Sequence, residues 1–158
     1  MSASLRTFEG GPPLSQEDLR SFEKKHGIAL PPSYWEFLLA TNGGRPERDL
    51  LTIVGLEGNP LARIHLFFGL NDSVESCNLD WNLDVFGDRI PSGLLPIATT
   101  EGTDKICLSV GAERTGALCY WDGHAQAGQR SLYFLADDFP SLLSTLQADE
   151  LSPGARNP

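Results

Sequence analysis

Apolar residues in the first third of the chain recur at helical spacing. Leu19 and Phe22 lie three residues apart, Ser15 can cap the start of a helix that contains them, and Gly27 can end it. A second helix is predicted in residues 30–44, LPPSYWEFLLATNGG, because proline fits a first helical turn and Asn-Gly-Gly stops a helix. We interpret this memorable stretch as a well-delimited helix rather than as a binding site.

From residue 50 a period of two replaces the helical spacing. The segment RIHLFFGL alternates, which places Ile64, Leu66, Phe68 and Leu70 on one face of a strand and His65 on the other. Turn residues separate it from further short apolar segments. The other predicted strands are LLTIVGL, LLPIATT, KICLSV, ALCYW and SLYFL.

Two more helices are predicted, one in the middle of the chain and one near its end. The middle helix would begin at Asn71 or Asp72, end at Gly87 and bury a single apolar stripe. The last helix would begin at Asp138. The stripe of the middle helix comprises Val74, Cys77, Trp81 and Val85.

These elements predict one α+β domain. Helices at the N-terminus, in the middle and at the C-terminus would pack on a mostly antiparallel or mixed sheet of about five to six strands. A chain of 158 residues fits one hydrophobic core. We expect residues 15–147 to form the domain, residues 1–14 to be a flexible segment and residues 148–158 to be a disordered tail.

Charge adds the first indication of function. The chain has 12 Lys and Arg against 21 Asp and Glu, a net charge of -9 at pH 7. Residues 1–65 contain seven basic and eight acidic residues, whereas residues 66–158 contain five and thirteen. Nucleic acids and anionic membranes are polyanions, so this charge argues against both as partners. It is compatible with a basic protein partner, and also with solubility alone.

The sequence contains no catalytic or metal-binding pattern. Cys77, Cys107 and Cys119 are far apart without a Cys-x-x-Cys pair, and we expect them to be buried and apolar. Cys119 and His124 are a candidate nucleophile and base, but nothing in the sequence fixes their geometry. We therefore predict no catalytic residue, no metal site and no cofactor. Without a signal peptide or a long apolar run, a cytoplasmic protein is expected.

An acidic segment follows residue 70. Between residues 71 and 104 there are seven acidic residues and one basic residue, Arg89. Asp80 and Asp84 are four apart on the predicted helix, where like charges repel by roughly a few tenths of a kcal/mol. Such a cost can mark a site kept for binding, and a solvated acidic face is the equal alternative. The candidate partner-binding residues are Glu75, Asp80, Trp81 (an aromatic anchor or a core residue), Asp84, Asp88, Glu101 and Asp104.

Five segments of the chain follow one family pattern in order: LPPSYWEFLLATNGG, FFGL, LLPIATTEGTDKICLSV, GALCYWDGH and LADDFPSLLSTL. In these segments the chain resembles the SUKH superfamily, which unites fungal cell-wall assembly regulators with bacterial immunity proteins. Two positions depart from the family pattern, since Thr103 follows Gly102 where glycines are usually paired, and Leu118 replaces a valine. The signature residues, which we expect to be structural, are Pro31, Tyr34, Phe37, Leu38, Asn42, Gly43, Gly44, Trp121 and Asp122.

The resemblance implies an α+β fold without enzymatic activity. Small bacterial members of the superfamily are typically immunity proteins that bind and neutralise a toxin domain, often a nuclease. We therefore expect a monomeric immunity protein whose partner is a cognate toxin domain, with a basic nuclease favoured by charge. A regulatory scaffold of the cell-wall assembly type is the alternative. A hydrolase that uses Cys119 or His124 is a third hypothesis.

Overall fold

The computed structural model describes residues 5–148 except residues 57, 59, 101 and 113. None of the helices in this part of the chain has both the length and the apolar character needed to cross a bilayer. The elements are β1 (Thr7–Phe8), α1 (Gln16–His26), α2 (Pro32–Thr41), β2 (Arg45–Pro46), β3 (Leu50–Thr52), β4 (Leu61–Phe67), a 3₁₀ turn (Glu75–Cys77), α3 (Leu79–Phe86), β5 (Leu94–Thr100), β6 (Lys105–Ser109), β7 (Leu118–Trp121), β8 (Leu132–Ala136) and α4 (Phe139–Thr145).

The main sheet is a six-stranded antiparallel meander. Its strand order is β3-β4-β5-β6-β7-β8, so each strand pairs with its neighbours in sequence. Strands β1 and β2 form a separate antiparallel pair. The predicted α+β domain is confirmed, and every pairing between these strands is antiparallel.

The two ends of α1 form as the sequence predicts. The Ser15 hydroxyl accepts from the Asp18 N–H at 3.2 Å, and the Asp18 carboxylate accepts from the Ser15 N–H at 2.8 Å. This reciprocal capping satisfies two backbone donors that a helix start leaves open. Gly27 ends the helix at φ 66°, a left-handed conformation that costs glycine little.

An aromatic cluster joins two helices to the main sheet. The Phe37 ring centroid of α2 lies 5.1 Å from that of Phe67 and 4.9 Å from that of Phe139, both edge-on. Tyr34 lies 5.2 Å from Phe139 and has no exposed surface. Burying one such ring contributes about 1.5–3 kcal/mol, so this cluster fixes α2 and α4 against β4.

Residues 5–11 pair and pack with later parts of the described chain. Leu5 is buried, and Thr7 of β1 pairs with Pro46 of β2. Farther along, the Gly11 N–H donates to the Asn42 carbonyl at 3.0 Å. Part of the N-terminal segment that we expect to be flexible therefore pairs and packs with the residues that follow it. A two-residue strand has too little alternation to be read from a sequence.

The middle helix has a different buried face from the predicted stripe. Asn78 is extended, at φ -100° and ψ 142°, so the 3₁₀ turn ends there and α3 starts with a new helical phase. As a result Val74 and Val85 are 55% and 47% exposed. Leu79 and Asn82 take the buried positions instead.

Strand β4 is also less regular than its sequence. Its pairing with β5 shifts between Ile64 and Leu66, and both Phe67 and Phe68 are buried. The alternation predicted through residue 70 therefore fails at the end of the strand. His65 is exposed, as predicted.

Candidate partner-binding surface

Most residues of the family signature lie in the core. Phe37, Leu38 and Tyr34 face the aromatic cluster described above, where a partner cannot reach them. Their side chains therefore support the fold rather than present a surface. The buried signature residues are Tyr34, Phe37, Leu38, Asn42, Gly43, Gly44 and Trp121, while Pro31 and Asp122 are half-buried.

Asn42 is the polar residue around which this segment is built. It adopts a left-handed conformation at φ 47° and ends α2. Its side-chain amide donates to the carbonyls of Pro12 and Leu70 at 2.7 and 2.8 Å, and its side-chain oxygen accepts from the Leu70 N–H at 2.8 Å. At Gly43, φ is 77° and an added Cβ would lie 2.5 Å from the Phe67 carbonyl oxygen. These contacts tie the end of α2 to the N-terminal segment and to the chain after β4.

The residues around α3 form a shallow depression. Its cavity has a volume of about 310 Å³, and four of the seven predicted partner-binding residues meet there. We call this surface the acidic depression. It is lined by Asn71, Glu75, Asn78, Asp80, Trp81 and Asp84.

Side-chain amides hold the acidic depression in shape. The Asn78 oxygen accepts from the Asp72 N–H at 2.8 Å, while its amide nitrogen donates to the Asp72 carbonyl at 3.0 Å. The Asn82 amide donates to the carbonyls of Ser76 and Asn78 at 3.1 and 2.8 Å. The Leu79 N–H donates to the Gly69 carbonyl at 2.9 Å, which anchors α3 to the chain after β4. The surface is therefore formed before any partner arrives.

Charge within the acidic depression is uneven. The Asp80 Oδ1 lies 2.5 Å from the His26 Nε2 and 3.3 Å from the Lys25 Nζ, so basic groups of α1 face this carboxylate. Glu75 and Asp84 are exposed, and no cation of the described residues forms an ion pair with either. These two carboxylates are therefore the negative charges that a basic partner can reach at low desolvation cost.

Trp81 gives the acidic depression an apolar wall. Its ring centroid lies 6.4 Å from that of Phe86 in an edge-on arrangement, and its side chain is half-buried. A half-buried tryptophan next to carboxylates can contact both apolar and cationic groups of a partner. The sequence left open whether Trp81 is an anchor or a core residue, and the structure shows a half-buried side chain that lines the acidic depression.

Two of the other predicted partner-binding residues, Asp88 and Asp104, do not line the acidic depression. Asp88 is exposed in the turn after α3, and Glu101 lies outside the described residues. Asp104 is half-buried and accepts from the Tyr120 hydroxyl and from the Gly123 N–H at 2.9 Å. Burial and the Asp104 carboxylate raise the pKa of Tyr120, which stays a hydrogen-bond donor. Asp104 thus joins the β5–β6 turn to the loop after β7.

Asp104 also belongs to a small group with metal-ligand chemistry. The Asp104 Oδ1 lies 3.2 Å from the His124 Nδ1, and each of Asp104, Asp122 and His124 offers one ligand atom within 4.8 Å of the others. Such a set suits a divalent cation such as Zn²⁺. The same carboxylates already accept backbone N–H groups of Gly123 and His124, at 2.9 Å each, so they also brace the two loops. Asp122 and His124 are two residues apart, but sequence reasoning missed the group because only the pairing of β6 with β7 brings Asp104 to them.

Cys119 and His124 do not form a nucleophile–base pair. His124 faces the two aspartates described above, whereas Cys119 hydrogen-bonds the Cys107 thiol. Cys107 is buried, as predicted for all three cysteines, but Cys77 and Cys119 are only half-buried. The geometry gives the hydrolase hypothesis no support.

Comparisons with known proteins bear directly on function. The sequence profile of the SMI1 / KNR4 family (SUKH-1) matches residues 13–145, most of the chain. The SPbeta prophage-derived uncharacterized protein YokK of Bacillus subtilis (strain 168) is 24% identical over 147 residues, spanning 84% of this chain and 74% of that protein. The resemblance drawn from five short segments is confirmed by the profile match.

Proposed function

The chain belongs to the SMI1 / KNR4 family (SUKH-1), and on that premise we propose that it is an immunity protein that binds and neutralises a toxin domain. The family match is the observation that carries the proposal, since members are immunity or regulatory proteins and not enzymes. Similarity to a Bacillus subtilis protein favours the bacterial, immunity type of member over the fungal type. The proposed site of action is the cytoplasm, where a toxin domain would meet its target.

The acidic depression is the proposed contact surface. Glu75 and Asp84 would pair with basic side chains of the toxin, while Trp81 would supply apolar contact area. A net charge of -9 would speed the encounter with a basic partner, which suits a nuclease whose own groove must attract nucleic acid. The mechanism is occlusion of the toxin's working surface by a pre-formed surface, without chemistry by this chain.

Co-expression tests the proposal. The toxin domain expected in the neighbouring gene is induced in a bacterial host with and without this chain. The expected result is survival when the chain is present, together with co-elution of the two proteins from a sizing column. Equal killing in both cultures, with both proteins soluble and folded, would overturn the proposal.

A regulatory scaffold is the second candidate function, because the matched family includes regulatory proteins as well as immunity proteins. A scaffold would bind host proteins in cells that lack any toxin gene, and it would leave the toxin domain unbound. Affinity capture from such cells, followed by a direct binding measurement with the toxin domain, separates the two functions.

A further inference from the structure

Two cysteines face each other on the main sheet, and neither of them lines the acidic depression. Cys107 of β6 is directly opposite Cys119 of β7 in the antiparallel register. Both pack with Ile90 and Trp121 in a small apolar cluster that is separate from the main core. The third cysteine, Cys77, lies in the 3₁₀ turn before α3.

The strand register places the two thiols close enough to bond. Directly opposed residues of an antiparallel pair have Cα atoms about 4.5–5.5 Å apart. Disulfides join residues whose Cα atoms are about 4.4–6.8 Å apart. Both side chains also lie in the one apolar cluster with Ile90 and Trp121. A bond between them would therefore require no change of register.

The two thiols differ in access. Cys107 has no exposed surface. Cys119 lines an open groove with a volume of about 310 Å³, whose other wall includes Leu94, Leu132 and Phe134. A small reagent that enters this groove can reach Cys119, whereas Cys107 does not line the groove.

The two thiols also differ in acidity. The hydrogen bond from Cys107 lowers the pKa of the Cys119 thiol, while burial raises the pKa of the Cys107 thiol. The thiolate is the reactive form of cysteine, so Cys119 is the better nucleophile of the pair. Burial raises the pKa of Cys77, which makes it a suitable internal control.

We propose that Cys119 and Cys107 form a peroxide-reactive dithiol site, with Cys119 as the attacking thiol and Cys107 as the resolving thiol. The Cys119 thiolate attacks a hydroperoxide, so that an S–O bond forms, the O–O bond breaks, and the released oxyanion takes up a proton to leave as water or an alcohol. The Cys107 thiol then attacks the Cys119 sulfenic acid. An S–S bond forms, the S–O bond breaks, and water leaves with the proton of Cys107.

The electrons balance over the two steps. The two thiols together lose two electrons and two protons, and one hydroperoxide is reduced. The peroxide is the only oxidant required. The product joins β6 to β7, which are already paired, so the fold accommodates it. This reactivity is independent of the proposed immunity function.

Oxidation of the full-length, reduced protein with hydrogen peroxide tests the proposal. Free thiols are counted with a chromogenic reagent, and intact mass and peptide mapping locate any disulfide. We expect the wild-type protein and Cys77→Ser to lose two thiols each and to gain an internal bond between residues 107 and 119. We expect the rate of oxidation of Cys119→Ser to be at most about one tenth of the wild-type rate.

The resolving step has its own test. Cys107→Ser and Cys107→Ala should stop at the sulfenic acid, which a dimedone label would mark at Cys119. The alanine variant keeps the buried position apolar if serine prevents folding, and circular dichroism checks the fold of each variant. Free glutathione, treated with the same peroxide, serves as the positive control. The proposal is overturned if the wild-type protein keeps all three thiols under conditions that oxidise glutathione. The proposal would also be overturned if Cys77 reacted before Cys119, or if Cys119→Ser were oxidised as fast as the wild-type protein.

Discussion

Residues 30–44 and residues 71–88 are similar in length, but they meet opposite physical demands. The first segment buries Tyr34, Leu38 and Asn42, and it is one of the five segments that carry the family resemblance. The second exposes Glu75 and Asp84, which line the acidic depression, and it carries none of those five segments. Buried residues are constrained by the whole fold, whereas these surface residues would be constrained only by a partner. The residues that carry the family resemblance and the residues of the proposed binding surface therefore lie in different segments of the chain.

The largest effect is expected from Asn42→Ala in the buried segment. The substitution removes three side-chain hydrogen bonds and leaves groups of Leu70 and Pro12 without their partner. At about 1–3 kcal/mol for each unsatisfied buried group, the free energy of unfolding should fall by roughly 4 kcal/mol. Urea denaturation measures it. Glu36→Ala, on an exposed position of the same helix, should change the value by less than about 0.5 kcal/mol.

A second prediction concerns the buried face of α3. Leu79→Ala should lower the free energy of unfolding by about 3 kcal/mol, because Leu79 has no exposed surface. Val85→Ala should change it by less than about 0.5 kcal/mol, because Val85 is 47% exposed. Chemical denaturation of both variants compares two apolar residues of one helix. A larger loss of unfolding free energy for Val85→Ala than for Leu79→Ala would contradict this buried face and support the stripe predicted from the sequence.

The smallest effect is expected at the start of α4 and depends on pH. The Asp138 carboxylate accepts from the Ser141 N–H at 2.8 Å, and hydrogen bonding from the Ser141 side chain and then from its backbone lowers the pKa of Asp138 below its ordinary 3.8. Because the folded pKa is the lower one, ionisation of Asp138 stabilises the fold above pH 3.8, and this contribution is lost as pH falls through the folded pKa. Asp138→Asn keeps a capping oxygen but cannot ionise.

The expected outcome is a stability difference between wild type and Asp138→Asn that is present at neutral pH and disappears in acid. Urea denaturation at a series of pH values measures it, and Glu36→Gln controls for the loss of one exposed carboxylate. A difference that grows on acidification would contradict the assigned hydrogen bond.

Local signals account for the parts of the fold that the sequence predicts. Ser15 and Gly27 bound α1 through contacts within a few residues, so their pattern can be read directly. The phase of α3 depends instead on Asn78, whose extended backbone is held through its side-chain contacts with Asp72. The spacing of apolar residues does not show this change of helical phase at Asn78. The predicted stripe therefore included two valines that are exposed in the structure.

The candidate surface could be predicted only in part for a similar reason. Glu75, Asp80 and Asp84 meet because they share one turn and one helix, which sequence spacing indicates. Asp104 instead meets Tyr120 and His124 through the pairing of β6 with β7, and no local pattern shows that contact. Grouping acidic residues by sequence distance alone therefore merged two separate sites.

The proposed binding of a toxin domain by the acidic depression is tested most directly by isothermal titration calorimetry, which measures the affinity of this chain for the toxin domain. The double variant Glu75→Gln/Asp84→Asn is compared with Glu17→Gln/Glu36→Gln, which removes the same charge from exposed positions of α1 and α2. We predict that the first variant binds the toxin domain about tenfold or more weakly with unchanged stability, a loss of about 1.4 kcal/mol. The control should bind like the wild type. Equal affinities of the two variants would contradict the claim.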